Sequence, residues 1–172
     1  MWLSLFFSMA GFQIQMTVRG ILVYDITSNA FLTGIVTAGF APSLLLFSMF
    51  GGVLGEKFEK RKLIQIAQGS NLLTSIFIVI LLFTDQLHWS HLLIVSITQG
   101  AGFALQVPAR QALIPDLVGK KLVINALGLN ALIMGITMMI APAIGGYTYE
   151  YFGPKNSYLI VSFLMIIGLS LL

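Results

Sequence analysis

Ser8, Gln15 and Arg19 stand seven and four residues apart in an otherwise apolar stretch, a spacing that places all three on one face of a helix. Gln99 and Gln106 repeat the seven-residue step with Phe103 between them, and Asn130 and Thr137 repeat it again. Amides, hydroxyls and one guanidinium among apolar side chains can hydrogen-bond a small molecule, or one another across helices; they supply no general acid, base or nucleophile. An intramembrane enzyme would need a set such as His-Glu-x-x-His or a buried Asp pair, and neither is present. His88 and His91 flank Trp89 without a third ligand nearby, so they read as exposed loop residues. Without cysteine, disulfides, thiolate metal sites and thiol catalysis are excluded, and no metal or cofactor is expected.

These residues are set in six long apolar runs: Trp2 to Tyr24, Phe31 to Leu54, Leu63 to Thr84, Leu92 to Val107 (extended to Arg110 through Pro108 and Ala109), Leu122 to Tyr147 and Tyr158 to Leu172. Four of them reach the ~20 residues that a helix needs to cross ~30 Å of hydrocarbon. With 58% hydrophobic and only 9% charged residues in 172, a soluble core is not credible. Backbone groups in lipid must be satisfied internally, and the runs are too long for barrel strands, so the expectation is an all-α, multi-pass bundle of six transmembrane helices at about 2–24, 31–54, 63–84, 92–110, 122–147 and 158–172. The first run lacks a basic leading region and five more follow, so it reads as a retained helix.

Lys57, Lys60, Arg61 and Lys62 follow the second run, and Arg110, Lys120 and Lys121 follow the fourth. The odd-numbered gaps hold Asp25, Asp85, Glu150 and a single Lys155. Cytoplasmic loops retain Lys and Arg, which puts the N-terminus in the cytoplasm. Tyr24, Trp89, Tyr147, Tyr149, Tyr151 and Tyr158 then fall at outer ends, where aromatic residues sit at headgroup level. The net charge of +3 reflects this topology and gives no reason to expect nucleic acid.

Polar groups are costly in lipid and normally face a bundle interior or a water-filled path, so Gln15, Arg19, Gln99, Phe103, Gln106, Asn130 and Thr137 are the candidate substrate pathway. Two roles are open for Arg19: substrate contact, or, at roughly 7.5 Å below Tyr24, snorkelling to the interface and pairing with Asp25. The amides can equally bridge helices. The third run offers fewer such groups, Asn71 and Thr74. Gly34, Gly51, Gly52, Glu56 and Phe58 recur 94 residues later as Gly128, Gly145, Gly146, Glu150 and Phe152, which suggests two three-helix units of inverted topology.

The loop Gly52-Val53-Leu54-Gly55-Glu56-Lys57-Phe58-Glu59-Lys60-Arg61-Lys62 closely resembles the segment between helices two and three of the major facilitator superfamily, Gly-x-Leu-Ala-Asp-Arg-x-Gly-Arg-Arg, with Glu59 where that pattern has Gly. Gln106 to Val118, followed by Asn125-Ala126, resembles the superfamily's drug and siderophore exporter branch, which includes enterobactin and macrolide exporters. Pro108 and Pro115 are expected to break or kink the inner end of helix four, with Arg110 at the headgroups. Ala141-Pro142-Ala143-Ile144-Gly145-Gly146 is similar to the Gly-Pro-x-x-Gly-Gly element of antiporters, in which Pro142, Gly145 and Gly146 bend and pack helix five. Of the helix-four pattern Arg-x-x-Gln-Gly only Gln99-Gly100 stand, with Ser96 in the Arg place.

The resemblance covers essentially all 172 residues and implies the N-terminal half, the first six of twelve helices, of a secondary transporter of the bacterial inner membrane. It implies a cytoplasmic latch of Gly52, Glu56, Lys57, Lys60 and Arg61 against the C-terminal half, or against a second copy of the chain. It further implies export of small amphipathic molecules driven by protons; Asp25, Glu56 and Asp116 are the local carboxylates. An importer, or a non-transporting six-helix scaffold, is the alternative. The chain opens and stops inside apolar sequence, as a piece of a longer protein would.

Overall fold

The computed structural model describes residues 1–57, 59–119 and 121–172; Phe58, Lys120 and the side chains of residues 50–57 lie outside the described residues. Its secondary structure there is entirely helical: α1 (Trp2–Thr27), α2 (Ala30–Ala38), α3 (Phe40–Lys57), α4 (Lys60–Phe83), α5 (Trp89–Val118) and α6 (Val123–Ser170). Four stretches among the described residues are long and apolar enough to cross a membrane: Ala30–Met49, Lys60–Phe83, Trp89–Val118 and Val123–Ser170. The more polar α1 falls outside that group by its composition, and its Ser4, Ser8, Gln15 and Arg19 are all in the protein interior.

The element boundaries differ from those read off the sequence in three places. The second apolar run holds two helices in line, α2 and α3, parted only by Gly39; its φ and ψ of −56° and −21° remain right-handed, and its N–H reaches the Ile35 carbonyl at 2.9 Å. Asn29 starts this rod by accepting from the N–H groups of Phe31 and Leu32 at 2.9 and 3.3 Å, so the N-terminal donors are capped. Next, α5 does not stop near Arg110. It runs through Pro108 and Pro115 and ends before Gly119, whose φ is 70°. Ala109 packs with Leu63 and Ile64 of α4, and this burial holds the segment helical despite the missing donors.

Finally, the fifth and sixth runs are joined in α6. Its 48 residues would extend about 72 Å as one rod, more than twice the hydrocarbon thickness. Gly153, at φ 75° and ψ 172°, breaks it just before Pro154. Both resulting segments pack on α1. Gly145 of the first lies against the Ile14 backbone of α1, and Gly11 of α1 lies against Val161, Leu164 and Met165 of the second. Ser4 Oγ donates to the Gly168 carbonyl at 2.6 Å, so α1 runs parallel to residues 123–152 and antiparallel to residues 154–170.

Around this triad α4 joins the second segment through the Ser75 and Ser162 hydroxyls, 2.8 Å apart, while α3 meets α5 through Ser43 Oγ donating to Ile97 O at 2.6 Å. Gly100 makes that second contact possible. A Cβ there would collide with Phe40 O and Ser43 Cβ, so the helices approach backbone to backbone. Charges collect at the bundle's two ends: Asp25, Asp85 and Lys155 at one, Lys60, Lys62, Glu59 and Asp116 at the other.

Candidate functional site

Three of the expected pathway residues meet at the bundle centre. Arg19 Nη1 donates to Gln99 Oε1, and Gln99 Nε2 donates to Gln15 Oε1 at 2.6 Å; all three side chains are fully buried. Helix α1 supplies Gln15 and Arg19 one turn apart, and α5 brings Gln99 to them. Arg19 therefore neither snorkels nor pairs with Asp25, the second role open to it from sequence. The two segments of α6 enclose α1 and leave the guanidinium facing α5, while Asp25 accepts instead from the Tyr149 hydroxyl at 2.5 Å. A charge near a bilayer centre costs at least about 2.5–3.5 kcal/mol, and here only neutral amides answer it. Among the described residues, Arg19 Nε and Nη2, Gln15 Nε2 and the Tyr158 hydroxyl have no hydrogen-bond partner. Ser96, in the place where the helix-four pattern has Arg, is buried and bonds the Leu92 carbonyl at 3.1 Å, so the guanidinium reaching Gln99 comes from α1.

Beside this network lies a pocket of about 240 Å³ lined by Met9, Phe12, Phe40, Phe103, Met134 and Thr137, among others. Phe12 of α1, Phe40 of α3 and Phe103 of α5 form an aromatic cluster, with Phe12 and Phe103 stacked at 5.3 Å and Phe40 at 5.9 and 5.8 Å from them. Such a lining holds flat or branched apolar groups, and the adjacent amides can orient polar ones. Thr137 bonds its own helix at Ile133 O (2.8 Å) and Met134 O (3.0 Å) and shows the pocket its methyl side. Asn130 is held loosely, its Nδ2 3.6 Å from Met134 Sδ.

Gln106 is one and a half to two turns further along α5 and does not join the Arg19 network. It borders a void of about 10 Å³ with Ser8, Gln68 and Asn71, space for a single water among otherwise unpartnered polar atoms. Helix α4 is thus more polar on its inner side than its sequence suggested, through Gln68. Phe12, Phe40, Met9 and Arg110 were also missed. Arg110 is buried within the protein, and its position on the inner face was readable: Gln99, Phe103, Gln106 and Arg110 step by four, three and four along one helical face.

Of the expected latch, Lys60 Nζ pairs with Asp116 at 2.7 Å and donates to Ala112 O at 3.1 Å, tying α4 to α5; Arg61 Nη2 donates to the Leu172 carbonyl. Gly52, Glu56 and Lys57 are helical residues whose side chains lie outside the described residues. In α6, Pro142, Gly145 and Gly146 keep helical dihedrals, and the break between its two segments falls at Gly153, whose φ is 75° and which Pro154 follows. Gly145 packs on α1, whereas a Cβ on Gly146 would meet nothing within 4 Å. His88 and His91 cap the start of α5, His88 N donating to His91 Nδ1 at 3.2 Å.

The chain is thus an all-helical bundle with several helices long and apolar enough to cross a membrane and a pocket lined by aromatic rings, methionines and Thr137. The transmembrane secretion effector family model matches residues 1–172. The chain belongs to that family, within the major facilitator superfamily. It is 28% identical over 132 residues to the staphyloferrin A transporter of Staphylococcus aureus (strain NCTC 8325 / PS 47), an alignment covering 76% of this chain and 33% of that protein. The chain thus spans about a third of the length of the curated relative it matches.

Proposed function

We propose that this chain is the N-terminal six-helix bundle, a 3+3 inverted repeat, of a proton-driven exporter of small amphipathic molecules of drug or siderophore type. It sits in the bacterial inner membrane with its N-terminus in the cytoplasm and works by rocking against a second bundle. The observation that carries this reading is the 240 Å³ pocket with its aromatic cluster, lined also by Gln13 and Thr137. An apolar lining with a few fixed polar groups favours a bulky, partly hydrophobic molecule over a sugar. The packing directions support six spans: α1 and residues 123–152 run one way and residues 154–170 return. The basic cluster at the Lys60 end and the acidic Asp25 and Asp85 at the other support the orientation.

A second bundle, the C-terminal half or another copy, is supported by the open apolar side of α3 and α6. Met49, Ile124 and Met139 are each more than three-quarters exposed, and Gly128 and Gly135 leave room for close approach of another helix. Protons are the proposed coupling ion, with carboxylates at helix ends or in the other bundle taking them up.

Whole cells carrying the complete protein, loaded with a fluorescent amphipathic dye, test the reading. Export that stops when a protonophore collapses the gradient is the expected result. Net uptake under the same gradient would make the protein an importer, and no movement in either direction would leave the scaffold reading.

A further inference from the structure

Arg110 lies about three turns of α5 from Arg19's partner Gln99, toward the Lys60 end. Its side chain is 4% exposed, yet Nε, Nη1 and Nη2 all lack a hydrogen-bond partner among the described residues. Among the described residues it takes part in no ion pair: Asp116, the one carboxylate on α5, is held by Lys60 at 2.7 Å, and Glu59 by Lys62 at 3.0 Å. Arg110 is one of the residues lining a separate pocket of about 50 Å³, with Gln106, Gln111, Asn130 and Met134 among the others. That volume is several times the ~10–15 Å³ a single water needs. Gln106 Nε2 and Asn130 Oδ1 in the same lining are likewise unpartnered, and a half-turn of the Asn130 amide presents its NH₂ group. Met9 and Met134 line both this pocket and the larger aromatic one, so the two adjoin.

Arginine stays charged when buried, and its planar fork of donors matches the two oxygens of a carboxylate. We infer that the Arg110 pocket is a subsite for a carboxylate on the transported molecule, which places its acidic group at the Lys60 end while its apolar body occupies the Phe12–Phe40–Phe103 pocket. The inference rests on the proposed transport function and narrows its substrates to amphipathic acids. The unpaired amide of Gln106 adds a neutral donor beside the guanidinium, and nothing in the described lining competes with the ligand's negative charge.

The test is a thermal melt of the complete purified protein in detergent with acetate, succinate, citrate or chloride at matched ionic strength. Carboxylates are expected to raise the melting temperature above the chloride value, with half-saturation roughly ten- to hundredfold weaker in Arg110→Gln and partly restored in Arg110→Lys. Gln106→Leu, which leaves the charge in place and keeps the test available if Arg110→Gln does not fold, is expected to weaken the response severalfold. An equal response to chloride, the same carboxylate response in Arg110→Gln or in Gln106→Leu, or a response to phosphatidylglycerol micelles with none to soluble carboxylates would overturn the subsite. The melt needs no turnover, so its failure leaves export standing, and absent dye export leaves the carboxylate response standing.

Discussion

Gln99 is the acceptor that keeps the most deeply buried guanidinium of the bundle from being wholly unpaired, since it takes Arg19 Nη1 and passes its own amide to Gln15. Gln99→Leu removes that acceptor without opening a route to water, and the complete protein is expected to lose about 1–3 kcal/mol of stability in a thermal or denaturant melt. Gln99→Glu is expected to fold with stability above the Leu variant, because a carboxylate then faces the guanidinium directly; equal melts for the two would show that Arg19 does not depend on this contact. Of this network the sequence displayed the members and hid the meeting. Spacing put Gln15 and Arg19 on one face of α1, but their partner is 80 residues further along and is set by how α5 crosses α1. The aromatic cluster was hidden for the same reason: Phe12 and Phe40 look like ordinary lipid-facing residues until three helices converge on them.

The elements were legible where length and hydrophobicity decide, and illegible where packing or one dihedral overrides a local rule. Pro108 and Pro115 each remove a backbone donor, yet burial of Ala109 and Ile114 keeps α5 helical to Val118. The turn that divides α6 rests on one dihedral, the positive φ of Gly153 before Pro154, which no hydrophobic pattern displays. Gly100 shows the opposite case, a small residue whose need appears only in three dimensions. Gly100→Ala forces a methyl onto Phe40 O and Ser43 Cβ and is expected to cost about 1–3 kcal/mol as overpacking. Gly34→Ala, where a Cβ meets nothing within 4 Å, is the paired control and is expected to melt within about 0.5 kcal/mol of the parent. A Gly100→Ala melt indistinguishable from that control would mean that α3 and α5 are not in close contact.

At the scale of the whole molecule, the ends of the bundle and its centre have separate tasks. The Lys60–Asp116 pair ties α4 to α5 beside the segment that resembles the superfamily's cytoplasmic latch. If Glu56 and Lys57 serve that latch, Glu56→Ala and Lys57→Ala in the complete protein are expected to cut dye export severalfold with unchanged abundance in the membrane, measured by export rate against immunoblot. Full export in both would remove the latch from the account. The central claim concerns the pocket between α1, α3, α5 and α6, and the chain's lack of cysteine makes it directly accessible to test. A single cysteine at Met134 in the otherwise cysteine-free bundle, labelled from the cytoplasmic side by a water-soluble thiol reagent, is the decisive measurement. The account predicts labelling that slows as an exported amphipathic compound is added and that responds to the proton gradient. Labelling indifferent to both, or none in any state, would contradict a substrate pathway through this pocket.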